Sequence, residues 1–292
     1  MNNNRQDNTP GMFDNLKGII FDYGGTLDTC GQHWGKKLWH AYERQHVPVS
    51  EQQFRDAYVY GERTLGRNPI IKPDYTFHRT LATKIRLEME HLCTQGAWDA
   101  SEEEFKQKHQ AVLEDVYAEV LATTAHSAEV LTQLSERFPM VLVSNFYGNI
   151  ERVLQEFSLR KFFPRIVESA VVGIRKPDPR IFELGVEKLR SSDVLSPLRS
   201  ESAPSGRAEA LRSSEVEKDA NSKLSSLHSP LSTLLSHDVL VVGDSFYKDI
   251  LPAQKAGCRT AWFKGEGWTD ETYDETIPDM VITDLSDLLV LK

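Results

Sequence analysis

The side chains best suited to chemistry in this 292-residue chain lie at four separated points, each at the end of an apolar run or in a turn. At the first, the apolar run over 16–21 delivers Asp22 into Tyr23-Gly24-Gly25-Thr26-Leu27. Gly24 and Gly25 can take φ > 0 and so let the chain leave a strand tip sharply. Asp22 then stands at a strand's C-terminal end, where open α/β sheets bind ligands. A carboxylate fixed and partly desolvated there can attack phosphorus or carbon. The same residues also serve as plain strand-end punctuation, because Asp before Gly-Gly is ordinary turn chemistry.

The second point is Ser144-Asn145, after the apolar run over 140–143. It offers a hydroxyl and backbone N–H groups where a helix is expected to begin, which suits an anion's oxygens or simple capping. The third, Arg175-Lys176-Pro177-Asp178-Pro179, holds a lysine in a proline-flanked turn, as a placed cation or as a solvated one beside a helix start. The fourth, Gly243-Asp244-Ser245-Phe246-Tyr247-Lys248-Asp249, sends two carboxylates out of an all-apolar strand. Two such acids are costly unless a cation or donors compensate them, and a hard, oxygen-ligated ion such as Mg²⁺ fits best.

Positioning these groups requires strands, and the chain supplies them. From Ser127 onward helical stretches alternate with apolar runs. A helix holding Val130, Leu131 and Leu134 precedes the run over 140–143, and a helix over 150–157 precedes Ile166-Val167. Another over 179–189 starts with Asp178 as cap and Pro179 at its first position. Apolar runs then recur over 239–242, 260–263 and 280–282, with a helix ending at Gly257. Continuous β-branched runs bounded by helices predict an α/β fold with a parallel sheet covered on both faces.

The stretch over 30–121 instead reads as helical throughout. Trp34, Leu38, Trp39 and Tyr42 recur at helix spacing, and Ser50 and Ser101 open capping boxes with Gln53 and Glu104. Asp74 is expected to cap a helix with Phe77, Leu81, Ile85, Met89 and Leu92 along one side. The expected organisation is a tail over 1–14, an α/β core over 15–29 and 122–292, and an inserted helical module over 30–121. Residues 191–237 are Ser-rich and lack aromatics, a composition that cannot offset ordering entropy, so a flexible excursion with a short helix over 208–216 is expected.

A net charge of −9 argues against nucleic-acid or anionic-membrane binding, both of which need basic patches. Cys30, Cys93 and Cys258 have no metal-ligand spacing and read as reduced thiols. The polar N-terminus lacks an apolar secretory stretch, and no segment is apolar enough to span a bilayer, so a cytoplasmic location is expected. Nothing in the sequence sets the oligomeric state.

Taken in order, a nucleophilic Asp, a Ser, a Lys and an Asp pair resemble the four signature motifs of the haloacid dehalogenase (HAD) superfamily over nearly the whole chain. The resemblance implies a Rossmann-like core with a helical cap domain inserted after the first motif. It implies a small phosphorylated metabolite as substrate and an aspartyl-phosphate on Asp22. Thr26, Ser144 and Asn145 would then contact the substrate, with Thr26 and Ser144 on the phosphoryl group, and Lys176 would neutralise charge. Asp22, Asp244, Asp249 and the carbonyl of Gly24 would hold Mg²⁺.

One position departs from the family. Its phosphatases carry a second Asp two residues after the nucleophile as general acid and base, and here that position is Gly24. Such help is typically worth ~10²–10⁴ in rate. One reading is a slow phosphatase, with bound water or His33, His40 or Glu43 standing in. A phosphonatase-like hydrolase would use Lys36, Lys37 or Lys72 as a Schiff-base amine. A dehalogenase-like one would need Tyr at Gly24, whereas Tyr23 comes one residue early. A weak phosphate-binding protein is the reading outside catalysis. Substrate contacts are sought among Trp34, Trp39, Tyr58, Tyr60 and Tyr75, which equally suit a core, and in Gly265-Glu266-Gly267-Trp268.

Overall fold

Strand β1 (Gly18–Phe21) lies at the centre of a six-stranded parallel sheet in the computed structural model, which describes residues 11, 13–191, 234–268 and 272–292. Its neighbours are β2 (Met140–Ser144) and β4 (Val239–Gly243). Outside β2 lies β3 (Arg165–Glu168), and outside β4 lie β5 (Arg259–Phe263) and then β6 (Met280–Ile282). The chain thus moves outward on one side and then on the other, and the strand order reverses between β1 and β4. Open α/β sheets bind ligands at such a reversal. Phe21 pairs with both Leu142 and Val242, so Asp22, Ser144 and Asp244 emerge at one edge of the sheet.

Alternation along the strands divides the core. Ile20, Val141, Val143 and Val241 pack with Ile181, Phe182, Val186 and Leu189 of α7 (Arg180–Arg190). Ile19, Phe21, Leu142, Leu240 and Val242 join the other layer with Val130, Leu131 and Leu134 of α4 (Glu102–Ser135). Because both faces are covered, these strands carry unbroken apolar runs rather than alternating ones.

Four helices stand between β1 and β2: α1 (Trp34–Arg44), α2 (Glu51–Arg67), α3 (Phe77–Thr94) and α4. After β2 come the short α5 (Ile150–Glu156) and, beyond β3, α6 (Ser169–Val172) and α7. A single π turn over Phe246–Ile250 leads into α8 (Leu251–Lys255), which ends before Gly257 at φ 80°. No helix among the described residues is long and apolar enough to cross a membrane.

Helix boundaries differ from the sequence reading at α4, at α3 and, by one residue, at α7, whose N-cap is Pro179 rather than Asp178. No helix starts at Ser127. Instead α4 runs unbroken for 34 residues, about 50 Å at 1.5 Å per residue, passing through the boundary expected at 121–122. Nothing between Glu102 and Ser135 is Gly or Pro, and the Ser127 hydroxyl donates 2.8 Å to the carbonyl of Leu27 rather than capping. Nor does Asp74 cap α3. Thr76 does, accepting from the Arg79 N–H at 3.2 Å, with the Glu156 carboxylate taking the N–H groups of Phe77 and His78. The Ser50 capping box forms with both of its bonds, and Ser101 accepts from the Glu104 N–H at 3.2 Å. Most of the expected tail and of the 191–237 excursion, with the whole of its 208–216 helix, lies outside the described residues.

The caps make a direct prediction. Thr76→Ala should cost about 1 kcal/mol in urea unfolding, whereas Asp74→Ala should stay within about 0.5 kcal/mol. Equal losses for the two variants would return the cap to Asp74.

Candidate active site

The backbone N–H of Asp22 donates 2.9 Å to the Val242 carbonyl, continuing the β1–β4 ladder and so fixing the side chain at the sheet edge. Of the two glycines that follow, only Gly25 has positive φ, at 102°. It is also pressed against Asp244, and a Cβ there would collide with that carboxylate. Gly24 is different: its backbone is ordinary and a Cβ would meet only the Trp34 indole, with Nε1 at 3.7 Å and Cδ1 at 3.9 Å. The sharp turn therefore needs Gly25 alone, which corrects the expectation that both glycines provide it.

Lys176 is the hub. Its Nζ donates 2.6 Å to Asp22 Oδ1 and 2.6 Å to Asp249 Oδ1, with the side chain 2% exposed. Asn145 holds the lysine's backbone on both sides, its Oδ1 accepting from Lys176 N at 3.0 Å and its Nδ2 donating to Lys176 O at 3.1 Å. The π turn brings Asp249 back toward this centre, where its Oδ2 accepts from Ser245 N at 3.1 Å. Single π turns inserted in helices often occur at functional sites. Carboxylate oxygens of Asp22, Asp244 and Asp249 lie within 4.8 Å of one another, a set able to hold a metal ion.

Three acids around one ammonium, two of them buried and Asp244 partly so, are electrostatically incomplete. Burial raises the Asp22 carboxyl to about 6 even though Lys176 opposes the rise. The Asp244 carboxyl is pushed well above its usual range by burial and then by Asp249 and Asp22. Burial works against the charge of Lys176, but Asp22 and Asp249 outweigh it and hold its pKa above the ordinary lysine value. A divalent cation among these oxygens would relieve the repulsion that remains.

Two sequence assignments change character. Thr26 does not line the cavity above the acids. It is fully buried, accepts from Asp244 N at 3.0 Å and lies 3.5 and 3.4 Å from carboxylate oxygens of Asp22 and Asp244, so it positions the acids. Ser144 does line the cavity, but no helix begins beside it. The helix starts at Ile150, and the Glu168 carboxylate already takes the N–H groups of Gly148 and Ile150, at 2.6 and 3.4 Å.

The cavity itself is about 470 Å³, between the sheet edge and helices α1 to α3. Trp34 and Tyr58 line it, as do all four residues of 265–268. Trp39 packs on Phe54, Tyr60 stacks on His91, and Tyr75 lies under Arg79. His33 reaches the cavity, but its Nδ1 accepts from Gly35 N and burial lowers its pKa to about 4. His40 bridges Glu43 and Glu266 outside the cavity. Lys36, Lys37 and Lys72 are bonded to Glu51, Glu119 and Pro69 O and do not line it. Tyr23 is fully buried, packs edge-on against Phe146 and does not line it either.

Three lining residues have no signal in the sequence. Asp28 is fully buried, accepts from Gly25 N at 2.7 Å and from Trp34 Nε1 at 3.2 Å, and burial raises its carboxyl to about 7. Lys84 and Glu62 form an ion pair that joins α3 to α2. Periodicity marks the faces of those helices but not which polar residue on them meets a cavity.

Gly25→Ala tests the packing of the turn. It should cost about 1–3 kcal/mol in thermal or urea unfolding, because strained φ and displacement of Asp244 act together. A variant as stable as the parent would show that the turn tolerates a side chain there.

The family model described as haloacid dehalogenase-like hydrolase matches residues 16–197, and one described as HAD-hydrolase-like matches 173–288. Among curated proteins no sequence matches this chain. A magnesium-bound structure of YfnB from Bacillus subtilis is 17% identical, with 95% of this chain and 99% of that one covered at a TM-score of 0.50. A dehalogenase solved with an intermediate complex is 15% identical, with 95% and 97% covered at a TM-score of 0.52. At such identities the structures speak for the fold, whereas the family model spans more than half of the sequence. The chain belongs to the haloacid dehalogenase-like hydrolases.

Proposed function

We propose that this chain is a Mg²⁺-dependent phosphatase of a small phosphorylated metabolite. The observation that carries the reading is the ammonium of Lys176, held 2.6 Å from both Asp22 and Asp249 beside a third acid, Asp244. One cation among three clustered carboxylates leaves a charge deficit that a hard divalent ion fits, and Asp22, Asp244 and Asp249 would hold it, with the carbonyl of Gly24. When bound, such an ion supplies charge stabilisation to the phosphoryl oxygens.

Asp22 acts as nucleophile. Its Oδ2, the oxygen not bonded to Lys176, attacks phosphorus in line, the bond from phosphorus to the ester oxygen breaks, and an aspartyl-phosphate forms. Lys176 keeps Asp22 oriented and screens it from Asp249 while negative charge gathers on the equatorial oxygens. Ser144, which lines the cavity, would donate to one of those oxygens. Water then attacks phosphorus and frees Asp22. With no side chain at Gly24, protonation of the departing oxygen falls to water, and turnover of alkyl esters is correspondingly slow.

Other readings find less support. Tyr23 and the lysines considered for a Schiff base lie off the cavity, and the cavity lysine Lys84 is ion-paired to Glu62 at 2.5 Å. Three unpaired thiols accord with a cytoplasmic location.

With Mg²⁺ and p-nitrophenyl phosphate, Asp22→Asn should lower kcat at least about a thousandfold, and a chelator should stop the parent protein until Mg²⁺ is restored. Hydrolysis that survives both treatments would remove this reading. Gly24→Asp fits sterically beside Trp34 and should raise the rate on an alkyl phosphate about tenfold to a hundredfold. An unchanged rate in a folded variant would mean that the proton is already supplied elsewhere.

A further inference from the structure

Above the acids, the cavity has a second polar centre that the phosphoryl chemistry does not use. Lys84 of α3 pairs with Glu62 Oε1 of α2 at 2.5 Å, and Tyr147, from the loop after β2, donates 3.0 Å to the same oxygen. The ammonium lies 4.5 Å from the Tyr58 ring and 5.7 Å from the Trp34 ring. All five residues line the cavity that contains Asp22 and Lys176. The Lys84 side chain is only 8% exposed, whereas Glu62 remains 34% exposed.

A buried ion pair is a weak stability device, since well-packed apolar replacements often do as well or better. This one is chemically open. Among the described residues Glu62 is the only acceptor for Lys84, and no donor reaches Glu62 Oε2. Free N–H groups and a free carboxylate oxygen thus stand side by side against two aromatic faces. Because the pair is neutral as a whole, it does not select for a second anionic group. It suits a flat ring with a hydrogen-bond acceptor next to a donor, and the aromatic faces favour stacking or cation–π contact. Arg175 and Lys248, exposed and without an ion pair among the described residues, line the same cavity and would attract the dianionic ester. A volume of about 470 Å³ has room for a ring as well as the ester.

Resting on the phosphatase reading, we infer that the substrate is a phosphomonoester of a heteroaromatic alcohol, its ring against Tyr58 and Trp34 and its acceptor and donor read by Lys84 and Glu62. A nucleoside and a pyridoxine-like alcohol share that chemistry.

The test compares kcat/KM for uridine 5′-monophosphate, pyridoxal 5′-phosphate and glycerol 3-phosphate with Mg²⁺. At least one heteroaromatic ester should exceed glycerol 3-phosphate by about tenfold or more, and the better one identifies the source. Lys84→Met should erase most of that preference, chiefly through KM. If Lys84→Met does not fold, the double variant Lys84→Met, Glu62→Met leaves no unpaired buried charge and serves instead. In parallel, titration calorimetry of the metal-free protein should show uridine or pyridoxine binding that weakens about tenfold in the variant, with none for glycerol. Glycerol 3-phosphate turned over as well as the ring esters would overturn this inference and leave the phosphatase reading standing. Ring alcohols bound through Lys84 without hydrolysis of any ester would support the pocket and overturn the phosphatase reading. Neither binding nor hydrolysis would overturn both.

Discussion

Lys176 is the interaction on which the site depends. It is a single buried ammonium shared by Asp22 and Asp249, with Asp244 beside them. Asp22, Lys176 and Asp249 are buried, so each uncompensated charge is expensive and each partner has to be held in place. Much of the surrounding structure does that holding. Asn145 clamps the lysine's backbone, Thr26 ties Asp244 to the turn after Asp22, and the π turn draws Asp249 inward. Gly25 leaves the space that the Asp244 carboxylate occupies. The pieces come from β1, β2, β4 and the turn before α7, and the parallel sheet is the element that can bring three strand ends to one edge.

The helices between β1 and β2 complete the cavity and give it its chemical character. Trp34 sits over Gly24, at the position where related phosphatases are expected to carry an acid, and Asp28 holds its indole nitrogen at 3.2 Å. The loop over 264–268 reaches the helices from the sheet side. Glu266 O accepts from His33 N at 2.9 Å, Trp268 lies against His33 and Tyr58, and the Arg55 guanidinium covers its ring at 4.4 Å. Core and helices therefore share one aromatic wall, and one apolar cluster runs from β1 through α4 into α1, α2 and α3.

Much of this fold was legible in the chain. The unbroken apolar runs marked β1, β2, β4, β5 and β6 to within a residue or two, because strands buried on both faces have no polar side. The capping box at Ser50 was legible because its two bonds are local, within three residues. Reading failed where a distant partner replaced a local signal. Ser127 lies inside α4 and donates to the Leu27 carbonyl, while the Glu168 carboxylate took the helix N-terminus expected to receive an anion. Thr26 looked like a substrate contact, yet its hydroxyl is committed to the acids beneath the cavity.

The sequence by itself determined the class of fold, the order of the four reactive segments and the acids that converge on Lys176. Those properties follow from periodicity and from residue type at strand ends, which each segment carries within itself. Only the tertiary structure decided that Trp34 covers Gly24, that Tyr23, Lys36, Lys37 and Lys72 stay off the cavity, and that Lys84 meets Glu62 inside it. Those outcomes depend on how the helices pack over the sheet. A helical period reports which face is apolar, but not which neighbouring element that face will meet.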